Sequence, residues 1–417
     1  MRLRVAALAA AVLLAACSTA PSTPPQSNIG SVPPEPTATA VPSATAADPT
    51  AVYALVATQV EAIRGLQPTT AVAPVLIDQA TLTKNLTADF DRTNPPAAVA
   101  INERELIGLG LLPAGSSLRA LVLDLQSGQV AGYYSPEEKQ LFVVSRAGGI
   151  GPTQRLTYAH EFTHQLQDQH FDLNKLGLDA TDQGDRSLAR LALVEGDAVS
   201  AQTTWMTTEL TADELGQVVK DSLDPAGLAA LSRAPKILQE TAFFPYNAGA
   251  AFVAGLISSG SYAAVNTAFA NPPASTEQVI HPEKYAAHEA PVEVKPAADL
   301  ATKLGSGWSE AARDTLGELT LRVWLNTGGV ASADAAAAAA GWGGDRLVLF
   351  TGPGGTTALA IETAWDTAAD ATEFAAAATR ALAGHGLASL IGHTSGSTRV
   401  SIAIGANIQQ LAAALPG

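Results

Sequence analysis

The sequence predicts an α+β protein: a mostly helical domain holding a small antiparallel sheet, followed by a smaller α+β module. Three observations carry this. Apolar residues recur at helical spacing from residue 51 to about residue 290, interrupted by a short cluster of strand-type runs between 118 and 145. Pro291 to about Ala298 reads as a hinge, and beyond it strand and helix signals alternate to the end of the chain. A chain of 417 residues is also long for one ordinary core. The reading divides it into 1–16, a signal segment; 17–50, a disordered tether; 51–295, the helical domain; and 296–417, the C-terminal module.

In order, Arg2 and Arg4 precede an apolar run from Val5 to Ala16 that is too short to span a bilayer but suits a signal segment. It closes on Leu14-Ala15-Ala16-Cys17. This resembles the lipobox of bacterial lipoproteins, which implies cleavage before Cys17, a lipid on that cysteine and an extracytoplasmic position at a cell membrane. Cys17 is the single cysteine, which excludes disulfides and thiolate metal sites within the chain. From Ser18 to Pro49 the residues are mainly Ser, Thr, Pro and Ala, with too little apolar surface to offset the entropy of ordering. Twenty-four basic against 39 acidic side chains give a net charge of −15, which repels phosphate backbones, so nucleic acid is set aside as a partner. No further apolar run reads as long enough to cross a membrane.

Helices are expected over Ala51 to Gly65, around Ala80 to Phe90, and from Pro96 to Gly110, the last with proline in its first turn and glycine at its end. Leu118 to Leu125 reads as a strand, followed by a Ser127-Gly128 turn and two more strands, Gln129 to Tyr134 and Lys139 to Ser145. Gly148-Gly149 breaks the chain, and Thr153 can cap a helix running to about Phe171. A loop to Gly184 leads to a buried helix from Asp185 to Leu210. From Thr211 to Ala290 the pattern is helical, interrupted at Asp224-Pro225, Pro235, Pro245 and Asn271-Pro272-Pro273. In the module, helices are expected around Trp308 to Asn326 and Ala331 to Ala340, then a turn at Gly341–Asp345. Strands Arg346 to Thr351 and Ala358 to Thr363, a helix Asp366 to Ala383, a strand Thr398 to Ile404 and a last helix complete it.

The chemistry is concentrated in His160-Glu161-Phe162-Thr163-His164. Residues four apart share a helix face, so His160 and His164 can offer nitrogens to one metal ion with Glu161 beside them. A catalytic zinc takes three protein ligands and a water, and Glu195, on the next predicted helix in Leu193-Val194-Glu195-Gly196-Asp197-Ala198, is the candidate third ligand. The combination resembles the gluzincin metallopeptidases, in which two histidines and a downstream glutamate hold zinc. The preceding strand pair resembles their sheet, whose edge pairs with an extended peptide. Tyr246-Asn247-Ala248-Gly249-Ala250-Ala251-Phe252 looks like their Tyr-x-x-Gly-x-x-Phe segment. The segment Ser275 to Tyr285 is similar to uncharacterised bacterial and archaeal surface proteins of this type. The resemblance spans roughly Leu118 to Tyr285 and implies a peptide or protein substrate, with Glu161 as general base accepting a proton from a zinc-activated water. Tyr246 and His281 both remain candidate donors to the oxyanion.

One departure stands out. Where thermolysin-like sequences place a histidine-orienting aspartate four residues after the glutamate ligand, this chain has Val199. Asp197 is about 200° round the helix from Glu195 and should not face the same metal unless the helix is distorted at Gly196. The acceptor behind the histidines is therefore unassigned. The alternatives are a zinc-binding lipoprotein that has lost turnover, and an adhesion or binding module whose function lies in the tail.

Overall fold

The computed structural model describes residues 49–144, 150–222 and 225–416. The signal segment, Cys17, nearly all of the tether, Gly148-Gly149 and Asp224 lie outside the described residues. The architecture is α+β. The helical part runs α1 (Pro49–Arg64), β1 (Val75–Ile77), α2 (Gln79–Thr93), α3 (Pro96–Gly108), α4 (Leu118–Gln129), β2 (Gly132–Ser135), β3 (Gln140–Val144), α5 (Pro152–Phe171), α6 (Gly184–Glu209), α7 (Ala212–Ser222), α8 (Pro225–Arg233), α9 (Lys236–Ala270), α10 (Thr276–Ile280) and α11 (Pro282–Ala286). The C-terminal part runs α12 (Leu300–Leu304), β4 (Ser309–Asp314), α13 (Gly317–Thr327), α14 (Ser332–Ala339), β5 (Trp342–Thr351), β6 (Thr357–Trp365), α15 (Ala368–His385), β7 (Ser389–Gly392), β8 (Arg399–Gly405) and α16 (Ile408–Ala414).

The first sheet has the order β1-β3-β2, with β2 antiparallel to β3 as expected and β1 added parallel on the other side. The second is fully antiparallel, in the order β4-β5-β6-β8-β7. Alternation along its strands feeds two cores. Leu347, Leu349, Leu359, Ile361, Ile402 and Ile404 face a cluster that continues through Trp324 and Phe374 into Leu109 of the helical part and Leu193 and Phe252 of α6 and α9. Val348, Phe350, Ala360 and Ala403 face Leu300, Leu304 and Leu411 of α12 and α16. A third cluster, with Tyr53, Val60, Leu141, Phe162 and Trp205, joins α1, β3, α5 and α6.

Polar contacts fix the two parts together at the start of α6. Asp314 Oδ1 accepts from Gly184 N at 2.7 Å, and Asp345 accepts from Leu316 N and Gly317 N, both at 2.8 Å. Gly317 has φ of +74°, and a Cβ there would lie 1.7 Å from Asp185 Oδ1. Only glycine meets both demands. Burial lifts Asp345 to about 6, against the opposing pull of those two N–H groups and Trp342. The helix that carries Glu195 is thus anchored at its first turn by the C-terminal part.

Several sequence expectations are corrected. Leu118 to Leu125 is not a strand: Leu118, Val122 and Leu125 are buried at helical spacing in α4. Trp308 to Asn326 is not one helix, because Ser309–Asp314 pairs with β5 as an edge strand despite its helix-forming Glu and Ala. Gly341–Asp345 is no simple turn, since β5 already begins at Trp342. Pro245 does not interrupt the chain: Phe244, Pro245 and Tyr246 are buried together, and α9 breaks instead at Gly260 and Ser261, whose backbone angles are non-helical. Counted across that break, α9 spans 35 residues and is, by length and composition alone, long and apolar enough to cross a membrane. Its inner side packs on α6.

Candidate metal centre

Pro152 begins α5 where a missing N–H costs nothing, and Gly151, not Thr153, is its cap residue. Gln154 Oε1 reaches back to accept from Gly151 N at 3.0 Å. From Leu156 to Asp168 the helix is buried on every side, where an unpartnered polar group is costly. Tyr134 Oη donates to Asp168 Oδ2 at 2.8 Å, and Lys139 Nζ reaches the same oxygen at 2.7 Å, so the β2–β3 hairpin is fastened to α5. Helix α6 runs antiparallel beside it: Leu156 O accepts from Gln202, and Val194 O from Gln167.

This pairing brings the predicted ligands together. His160 Nε2 and His164 Nε2 are 3.1 Å apart, and Glu195 Oε2 lies 3.2 Å from the first and 3.4 Å from the second. All three residues are buried, with His164 the most exposed at 4%. Zinc bonds of ~2.0–2.1 Å in a tetrahedron place neighbouring ligand atoms ~3.3 Å apart. The donor set and its spacing fit that ion. Burial pushes Glu195 up, but His164 and His160 more than reverse this and hold its carboxyl well below the usual range. Burial likewise works against a charge on His164, yet Glu195 beside it raises the imidazole above its ordinary value. The two shifts are one interaction, the mutual attraction of the carboxylate and the imidazoles beside it.

Glu161 sits one residue along α5, fully buried. Its Oε2 accepts from Tyr134 N at 2.9 Å, and its Oε1 has no hydrogen-bond partner among the described residues. Burial, the largest influence, raises its carboxyl above the usual range. Val144 N donates to Ala131 O, so by antiparallel alternation the main-chain groups of Gly132 and Tyr134 point away from β3, towards α5.

Tyr246 comes to the centre and His281 does not. The Tyr246 ring stacks beside that of His160, centroids 6.2 Å apart and planes 24° from parallel. His281 Nε2 instead pairs with Glu318 Oε1 at 3.1 Å, and Glu283 stands on its other side. Tyr246 is placed by a close helix crossing. A Cβ on Gly196 would lie 2.2 Å from Gly249 O, and a Cβ on Gly249 2.2 Å from Ala192 O. The Glu-Gly and Tyr-x-x-Gly patterns are therefore two sides of one contact between α6 and α9.

Asp197 does not touch the triad, and α6 passes Gly196 without distortion. The acceptor that sequence reasoning left unassigned is Gln167, whose Oε1 lies 2.8 Å from His164 Nδ1. Its spacing of three residues from His164 was a usable signal, since such pairs share a helix face. Arg64, which meets Asp197 from α1, had no such signal.

Residues 303–409 match the model of a domain of unknown function, DUF8575. That match covers the C-terminal part and stops short of every residue of the metal centre. No curated protein and no solved structure matches the chain.

Gly196→Ala is expected to force α6 and α9 apart, at a cost of ~1–3 kcal/mol from overpacking. Denaturant unfolding reads this as a lowered midpoint, and zinc competition as weaker binding. An unchanged midpoint would mean that the helices do not depend on this approach.

Proposed function

We propose that this chain is a lipid-anchored, extracytoplasmic zinc metallopeptidase. The observation that carries the reading is the convergence of His160, His164 and Glu195 at tetrahedral spacing beside a carboxylate, Glu161, with one oxygen held and the other unengaged. Zinc bound by the three ligands would act as a Lewis acid, polarising a carbonyl and making a water acidic near neutral pH.

The residues have separate tasks. Tyr134 N–H holds Glu161 Oε2, which aims Oε1 as the proton acceptor. Burial raises the Glu161 carboxyl, so it can accept a proton from water and later release it to a leaving amine. Tyr246, whose ring lies beside His160, is the better placed of the two candidate donors to an oxyanion, because the His281 side chain meets Glu318 and not the triad. The outward-facing main chain of β2, apart from the Tyr134 N–H that holds Glu161, would offer a peptide an edge to pair with. The lipid anchor rests on the Leu14 to Cys17 sequence, and the proposed location follows from it.

A second reading has a specific observation in its favour. The triad is closed to solvent, and a closed centre can hold zinc without admitting a peptide. In that case the chain would be a zinc-binding lipoprotein without turnover.

Cleavage separates the two. With a mixed peptide library, the zinc-loaded chain is expected to hydrolyse peptide bonds, and Glu161→Gln to retain zinc while losing ~10²–10⁴-fold in rate. Equal rates in the two proteins would place the base elsewhere; no cleavage by either would favour the second reading. For the anchor, Cys17→Ser is expected to move the chain from the membrane fraction to the soluble one, and continued membrane retention would contradict lipidation at that residue.

A further inference from the structure

We propose that Gln167, backed by Asp197 and Arg64, is a positioning group that fixes the tautomer and orientation of His164 and ties together the two ligand-bearing helices. The inference rests on the zinc reading above. It follows from what each atom can do. Gln167 Nε2 lies 2.9 Å from Val194 O and 2.9 Å from Asp197 Oδ2. A carbonyl and a carboxylate can only accept, so the amide nitrogen must face them. Gln167 Oε1 is thereby turned to His164 Nδ1, at 2.8 Å. That oxygen can only accept, so the imidazole hydrogen sits on Nδ1. The lone pair of the neutral ring is left on Nε2, the atom that meets His160 and Glu195.

The same amide is a cross-link. Val194 precedes Glu195, so Gln167 joins the turn of α5 that carries one ligand to the turn of α6 that carries another. Asp197 in turn is met by Arg64, whose Nε lies 3.0 Å from Oδ2 and 2.8 Å from Oδ1. Arg64 is fully buried, and its guanidinium covers the ring of Tyr262 at 4.7 Å. Helices α1, α5, α6 and α9 therefore meet behind one imidazole. Val199 stands where a direct carboxylate partner was expected, and the amide relay supplies the acceptor instead. His160 has no equivalent, since its Nδ1 is buried without a partner among the described residues.

The test uses the full chain and zinc alone, with affinity read by chelator competition and folding by thermal unfolding. Gln167→Met keeps the shape but removes the hydrogen bonds, and is expected to weaken zinc binding by ~10–100-fold. Gln167→Glu should weaken it too, by setting a second carboxylate against Asp197. In the cadmium-substituted chain the His164 Nδ1 proton should exchange slowly by NMR, and quickly in Gln167→Met. Unaltered affinity in Gln167→Met, or a fast-exchanging Nδ1 proton in the unaltered chain, would each overturn the relay alone. An unaltered chain that takes up no zinc would overturn the zinc reading and the relay with it.

Discussion

Three electron-pair donors held within 3.4 Å of one another in a dry interior repel unless something positive lies among them. In this chain the donors come from two helices, and the surrounding structure serves to keep them converged. Helix α5 is buried from Leu156 to Asp168, where His160 and His164 cannot turn away to water. Helix α6 is pinned at its first turn by Asp314 and Gly317, and at its middle by the approach of Gly249. Glu195 lies between those two fixed points. The C-terminal part, with its match to a domain of unknown function, therefore bears on the candidate metal centre through α6 even though it supplies none of the candidate ligands.

The centre is asymmetric. His164 has a partner at its outer nitrogen and a line of contacts reaching α1, whereas His160 is held by its stacking beside Tyr246 and by its place on the helix. Glu161 is likewise half engaged, one oxygen on the β2 main chain and one without a partner. A buried carboxylate left with an unused lone pair is costly for stability alone and is suited to receiving a proton.

What could be read from the sequence was whatever depends on local periodicity. The spacing of His160 and His164, the helix around them, and the following helix with Glu195 all express a 3.6-residue repeat, and the structure brings those residues together. The fold class was legible for the same reason. Failures came where distant partners decide. Ser309–Asp314 has helix-forming residues and becomes a strand because β5 offers it an edge. Phe244-Pro245-Tyr246 stays helical because its burial against α6 outweighs a lost hydrogen bond. Leu118 to Leu125 was a local error of period, its buried positions being helical after all. His281 was joined to the site by resemblance of its segment, whereas Glu318, 37 residues later, claims its side chain. Arg64 reaches Asp197 across 133 residues, a distance no pattern in a single sequence reveals.

What lies between the three donors decides the chemistry of the centre. X-ray absorption at the zinc edge, on the full chain carrying one equivalent of zinc, reads that directly. Nitrogen and oxygen donors at ~2.0–2.1 Å, with outer scattering from two imidazole rings, are the predicted result. A shell of oxygen atoms alone, without imidazole scattering, would show that the metal sits elsewhere and would contradict the centre described for His160, His164 and Glu195.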